Sequence, residues 1–187
     1  MVKKKACIFI SGTGSNLKNL INKSRDYTFP ISVNLVVSNN LKAYGLKYAK
    51  KNSIPILLIN PMNKLSENLI LNELKNRKIH LICLAGYMKI ISTRFLNQFG
   101  KKIINIHPSL LPKFKGLDTF QKVLKNKEVA TGCTVHYVNK KLDSGKIISQ
   151  KKFFINKSDD ENSIKRKTQK LEYKSFPEAI IKIYRNY

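Results

Sequence analysis

An open, twisted α/β sheet, mostly parallel, with helices on both faces and an antiparallel C-terminal hairpin is the fold class this sequence predicts. Three observations predict it. Short apolar blocks alternate with polar, helix-compatible segments through the first two thirds of the chain, the pattern of βαβ units. The first block runs straight into a glycine-containing turn, Ser11-Gly12-Thr13-Gly14-Ser15-Asn16. Two further β-like blocks, separated only by a turn, follow near the C-terminus. The 187 residues, 42% of them hydrophobic, are enough for one domain with a full core, so residues 1–187 are expected to form a single domain.

The elements follow in order. Strands are expected at Ala6–Ile10, Ser32–Val37, Ile54–Ile59, His80–Leu84 and Lys102–Ile106. Helices are expected between them at Leu17–Lys23, Ala43–Lys51, Ser66–Arg77 and Thr93–Phe99. Beyond Pro112, Leu117–Lys127 reads as a helix. Cys133–Val138 and Lys146–Phe154 then read as strands that pair through the turn Lys141-Leu142-Asp143-Ser144-Gly145. The tail from Asp160 to Tyr184 reads as a helix, its start marked by the acidic Asp159-Asp160-Glu161, and Pro177 is expected to interrupt or kink it.

Composition excludes several classes. No apolar run approaches the ~18 residues that span a bilayer, and the short block after Met1-Val2-Lys3-Lys4-Lys5 reads as a first strand rather than a secretory signal. Cys7, Cys83 and Cys133 each lie in an apolar segment with no CxxC spacing, as expected of buried thiols in a reducing cytoplasm. The formal net charge is +25, yet the 31 lysines and 5 arginines are spread over every segment and accompany 19 Asn and 22 Ile. That pattern fits drift toward AT-rich codons better than nucleic-acid binding, which favours the planar fork of Arg. No specific nucleic-acid partner and no membrane are expected, although anionic substrates gain from the field.

The most informative stretch is Asn105-Ile106-His107-Pro108-Ser109-Leu110-Leu111-Pro112. Positions i and i+2 of a strand share a face, so Asn105 and His107 can serve one reacting centre. Pro108 has no N–H to continue the ladder, which puts the pair at the carboxyl end of the strand, where open α/β sheets place their ligands. An imidazole exchanges protons near neutral pH, and a carboxamide N–H stabilises a developing oxyanion. Asp143 joins them only if its turn folds back toward His107; alone it is an ordinary turn aspartate. His80 and His136 read as structural, and three isolated histidines argue against a metal.

Gly14, Ser15 and Asn16 open the first expected helix, where free backbone N–H groups and a positive dipole end suit a phosphate. Leu17 stands where the dinucleotide fingerprint has its third glycine, and no Lys-Ser/Thr pair completes a P-loop. After the fourth strand, Leu84-Ala85-Gly86-Tyr87-Met88-Lys89-Ile90-Ile91 offers small residues and apolar neighbours to a flat ring; a core strand running into a helix reads equally well.

Together these motifs resemble the phosphoribosylglycinamide formyltransferases, a family of formyl-folate transferases, nearly end to end, from Ile8–Gly12 through the Asn105–Pro112 run to Phe176-Pro177. The resemblance implies the Rossmann-like formyltransferase fold. It also implies transfer of a formyl group from the co-substrate 10-formyltetrahydrofolate to the amine of 5-phosphoribosylglycinamide, in purine biosynthesis, without a metal. Under it Asn105, His107 and Asp143 are catalytic, and Gly14, Ser15, Asn16, Gln169 and Glu172 contact the glycinamide ribonucleotide. Met88, Lys89, Ile90 and Ile91, together with Asn105, Val138, Asn139, Lys140, Lys141, Leu142 and Asp143, contact the folate. Departures from the family pattern fall at Leu117 to Phe120, including Asp118, where a histidine is usual, at Lys146, where a proline is usual, and near Lys64, a candidate folate contact.

Other readings are a methionyl-tRNA formyltransferase, which lacks the phosphate loop and carries a further C-terminal domain, and a formyltetrahydrofolate deformylase, which has an extra N-terminal domain. A non-catalytic nucleic-acid-binding protein would show clustered basic and aromatic residues, which the sequence lacks.

Overall fold

The first strand, β1 (Lys4–Ile10), is buried without a break from Ala6 to Ile10, as a strand covered on both faces must be. The computed structural model describes residues 2–60 and 65–185, and the expected folate contact at Lys64 lies outside them. The chain divides into two compact units, Met1–Ile104 and Asn105–Tyr187.

In the first unit β1 is followed by α1 (Ser15–Ser24), β2 (Ile31–Ser38), α2 (Leu46–Lys51), β3 (Ile56–Leu58), α3 (Ser66–Asn76), β4 (Leu81–Leu84) and α4 (Thr93–Phe99). Strand β5 (Lys102–His107) begins in this unit and ends in the second. Hydrogen-bonded neighbours run β3-β2-β1-β4-β5, and the pairings of β1 with β2 and β4, and of β2 with β3, are parallel. Helix α1 buries Leu17, Leu20 and Ile21, the i, i+3, i+4 stripe of an amphipathic helix. Phe9 anchors the core, edge-on to Tyr87 at 5.2 Å and to Phe95 at 6.3 Å.

The second unit takes Asn105–His107 of β5, then α5 (Thr119–Lys125), β6 (Ala130–Tyr137), β7 (Ile147–Phe154) and α6 (Glu161–Tyr184). Its strand order is β5-β6-β7, with β6 and β7 antiparallel as the expected hairpin required. Helix α6 packs on β6 and β7 and buries Ile164, Phe176, Ala179, Ile180 and Ile183.

Every expected element is present, with four corrections. Helix α6 is continuous through Pro177, so the proline does not interrupt it; the buried face around Phe176, Ala179 and Ile180 outweighs the lost hydrogen bond. Helix α2 starts at Leu46, not Ala43, because Asn40 and Gly45 are committed to the preceding turn: Asn40 Nδ2 donates to Ser11 O at 2.9 Å and Gly45 N to Gly12 O at 3.0 Å. Helix α5 is shortened at both ends by Asp118 and Lys127, which hold φ of +57° and +50°. Strand β3 is only Ile56–Leu58. Strand β6 begins three residues before the expected Cys133, at Ala130, and the remaining boundaries shift by at most two residues, as element ends do.

Candidate functional site

Asn105 and His107 leave β5 two residues apart, and the second unit supplies their partners. His107 is 5% exposed. Its Nε2 lies 2.8 Å from the carbonyl oxygen of Phe114, and its Nδ1 lies 3.3 Å from Oδ2 of Asp143. A carbonyl can only accept, so the proton of the neutral ring sits on Nε2, and Nδ1 is the nitrogen that gains and loses one. Asn105 Nδ2 donates to Oδ1 of Asp143 at 3.3 Å. The backbone N–H of Gly116 donates to Oδ2 of Asp143 at 2.9 Å. The turn aspartate therefore does fold back onto the imidazole.

Local chain geometry explains how Asp143 gets there. Tyr137 N donates to Lys146 O at 3.0 Å, closing the loop between β6 and β7 at its base. Gly145 sits against the Tyr137 carbonyl so closely that any Cβ would collide with it. Inside the loop, Asn139 Oδ1 accepts from Lys141 N at 2.9 Å, and Asp143 adopts φ +43°. The loop residues expected to meet folate, Val138 through Leu142, are half-buried at Val138 and exposed beyond it. The departing residue Lys146 takes part through its backbone carbonyl, which any residue type supplies.

One member of the cluster was missed. His136, read as structural, places Nε2 3.3 Å from Asn105 Nδ2 and 3.5 Å from Asp143 Oδ1, while its Nδ1 lies 2.8 Å from Tyr137 O. A carbonyl only accepts, so Nδ1 donates to it and Nε2 is the nitrogen turned to Asn105 and Asp143. The available signal was the alternation Thr134-x-His136 on β6, which repeats the Asn105-x-His107 spacing of β5. His80, by contrast, is exposed and takes no part.

The electrostatics follow from these contacts. Burial pushes the His107 imidazole below its usual value; the Phe114 carbonyl and the Asp143 charge oppose this, while the charges of His136 and Lys122 add to it. Burial would raise the Asp143 carboxyl, but the contact with His136, the Gly116 N–H and the charges of His107 and His136 outweigh it and hold the group at about 2. Asp143 is thus a standing carboxylate beside an imidazole that is neutral at pH 7. Such a pair can order a water and pass protons through Nδ1, while the Asn105 amide can turn one N–H from Asp143 or His136 to a developing oxyanion.

In the first unit the expected phosphate loop is built as a helix entrance. Gly14 is the N-cap residue of α1 in left-handed conformation, φ +71°, and a Cβ there would press on the backbone of Gly45. Asn16 is buried and Ser15 half-buried. Ser11 ties this turn to the expected folate segment: its Oγ donates to Asn39 Oδ1 at 2.6 Å and accepts from Met88 N at 2.9 Å, while Ser11 N donates to Gly86 O at 3.1 Å. Met88 and Ile90 are 63% and 80% exposed, an apolar surface left open beside Lys89 and Ile91. On α6, Gln169 and Glu172 stand one helical turn apart, both half-buried, and the Glu172 carboxylate adds to the burial that pushes the Cys133 thiol on β6 to about 12.

A family model described as formyl transferase matches residues 4–180. The chain belongs to the formyl transferase family. This formyl transferase is 38% identical over 182 residues to the phosphoribosylglycinamide formyltransferase of Haemophilus influenzae, an alignment covering 95% of the chain and 85% of that protein. It is 39% identical over 184 residues to the trifunctional purine biosynthetic protein adenosine-3 of Drosophila melanogaster, where it spans 95% of itself but only 14% of the relative. Among solved structures, phosphoribosylglycinamide formyltransferase from Brucella melitensis superposes with a TM-score of 0.91 at 35% identity, covering 98% of this chain and 96% of that one. The Bacillus halodurans enzyme superposes with a TM-score of 0.91 at 31% identity, covering 96% and 95%. The expected fold class is therefore that of the formyl transferases. Among the described residues no helix is long and apolar enough to cross a membrane.

Proposed function

We propose that this formyl transferase moves the formyl group of 10-formyltetrahydrofolate onto the glycine amine of 5-phosphoribosylglycinamide. The observation that supports this most is the meeting of Asn105, His107 and Asp143 around one carboxylate, in a chain 38% identical to an enzyme of that name. The amine nitrogen attacks the formyl carbon, and the tetrahedral oxyanion takes over one of the Asn105 N–H groups that otherwise face Asp143 and His136, and accepts from His107 Nδ1 once that nitrogen has taken a proton from the attacking amine. The bond from that carbon to the folate nitrogen then breaks. A proton leaves the new ammonium and another arrives on the departing nitrogen; His107 Nδ1 and a water held by Asp143 carry them. His136 supports Asn105 through its Nε2, 3.3 Å from the amide nitrogen.

The remaining roles come from the resemblance. Gly14, Ser15 and Asn16 take the substrate phosphate, in keeping with the open N-terminus of α1. Gln169 and Glu172 take the glycinamide or ribose. Met88 through Ile91 and Val138 through Asp143 take the folate, residues 1–187 act as one catalytic domain, and no metal is needed. A cytoplasmic location goes with this reading, since Cys7, Cys83 and Cys133 are all buried free thiols.

The test is direct. Purified protein is given 10-formyltetrahydrofolate with either 5-phosphoribosylglycinamide or charged initiator tRNA, and release of tetrahydrofolate is followed. Turnover with the glycinamide ribonucleotide alone is expected; turnover only with tRNA, or hydrolysis without an acceptor, overturns the reading.

A further inference from the structure

Phe114 is the residue whose carbonyl fixes the His107 ring, and it does so from an awkward conformation. Its φ is +54°, which a bulky side chain rarely adopts and which persists only where the surroundings hold it. The surroundings here are a hydrogen-bond network in the second unit that ends on β7. Thr134 Oγ1, fully buried on β6, donates to Ser109 O at 2.6 Å and accepts from Leu111 N at 3.1 Å. Gln150 lies directly across from Thr134 in the β6–β7 register. Its Nε2 donates to Thr134 Oγ1 at 2.8 Å and to Leu111 O at 3.0 Å. Ser109 Oγ then donates to Lys113 O at 2.7 Å, the residue just before Phe114. Four backbone groups between residues 109 and 113 are thereby pinned.

We propose that Gln150 is a positioning residue for formyl transfer: through Thr134 and Leu111 it holds the 108–114 loop, so that the Phe114 carbonyl keeps the proton on His107 Nε2 and leaves Nδ1 to exchange protons beside Asp143. The proposal rests on the reading of His107 as the proton carrier. Gln150 touches none of the reacting groups. It acts as an outer-shell partner acts on a ligating histidine, by deciding which tautomer the ring adopts. Gln150 is an exposed residue, so truncating it opens no cavity in the core.

The experiment compares wild type with Gln150→Ala, Gln150→Glu, which keeps the shape but has no N–H donor, and Gln150→Lys, which restores a donor at similar reach. Protein labelled with 15N-histidine reports the His107 tautomer, with His107→Gln supplying the assignment. Wild type is expected to show His107 protonated on Nε2 alone. Gln150→Ala and Gln150→Glu are expected to show a mixture of tautomers and a kcat reduced about tenfold, the usual scale for such outer-shell changes, with KM for both substrates within about twofold. Gln150→Lys is expected to recover both signals. Wild-type tautomer and kcat in the first two variants overturn the proposal, as does a loss of kcat with unchanged His107 resonances. A wild-type protein without formyl transfer overturns the functional reading instead, and the 15N spectra still decide whether Gln150 sets the ring.

Discussion

Nδ1 of His107 faces Oδ2 of Asp143 at 3.3 Å, with both side chains almost wholly shielded from water. The carboxylate is held in place by the Gly116 N–H and the Asn105 amide, so it approaches the imidazole without depending on it. Removing either partner therefore leaves the other in position but without its function.

His107→Ala and Asp143→Asn are each expected to lower kcat for formyl transfer at least about a hundredfold, the scale of a positioned acid or base. Asp143→Asn keeps the shape and loses the charge, so KM is expected to move little. Steady-state kinetics with both substrates check this; near-wild-type turnover in either variant removes the proposed mechanism.

Acid is expected to weaken the fold in two stages. The folded His107 value lies below the ordinary 6.5, so below that pH the unfolded chain binds the extra proton first and stability falls as pH drops. Asp143 stays ionised down to about 2 against an ordinary 3.8, so its contribution is complete above about 4 and lost as pH falls toward 2. Urea unfolding of wild type and His107→Gln at pH 7.5 and 5.5 measures the first stage. The variant is expected to lose less stability across that interval, and equal losses would contradict the assignment.

Inorganic phosphate is expected to compete with the phosphoribosyl substrate, raising its apparent KM and leaving saturated turnover alone. The α1 entrance offers backbone donors and no anion of its own. Gly14→Ala is expected to abolish the competition, since its Cβ would strike Gly45 and φ +71° suits glycine. An apparent KM indifferent to phosphate would show that the substrate phosphate binds elsewhere.

Gly145→Ala is expected to lower kcat more than tenfold, because a methyl group there forces the loop off the Tyr137 carbonyl and carries Asp143 with it. A melting temperature within a few degrees of wild type, measured alongside the rate, would tie the loss to the loop rather than to unfolding. Full activity in this variant would mean that Asp143 does not need the loop geometry described above.

Much of this was legible in the linear chain. Strands and helices alternate where the apolar blocks do, because burial on both faces leaves no other pattern for a parallel sheet. The Asn105 and His107 pair was readable from period-two spacing and from Pro108 behind it, and the Gly14 turn from its place between strand and helix. His136 was not: a histidine within a strand is an ordinary residue until its neighbour across the strands is known, and here that neighbour is Asn105. Pro177 misled for a related reason, since local propensity carries no information about the buried face that keeps α6 intact.

The sequence by itself determined the order of elements, the residue types available for proton transfer and the turn suited to a phosphate, all properties of neighbours within a few positions. Only the tertiary structure decided that Asp143 reaches His107, that His136 joins them and that Phe114 aims a carbonyl at the ring. Those contacts depend on strand pairing and loop closure between distant segments, and no local pattern encodes a distance in space.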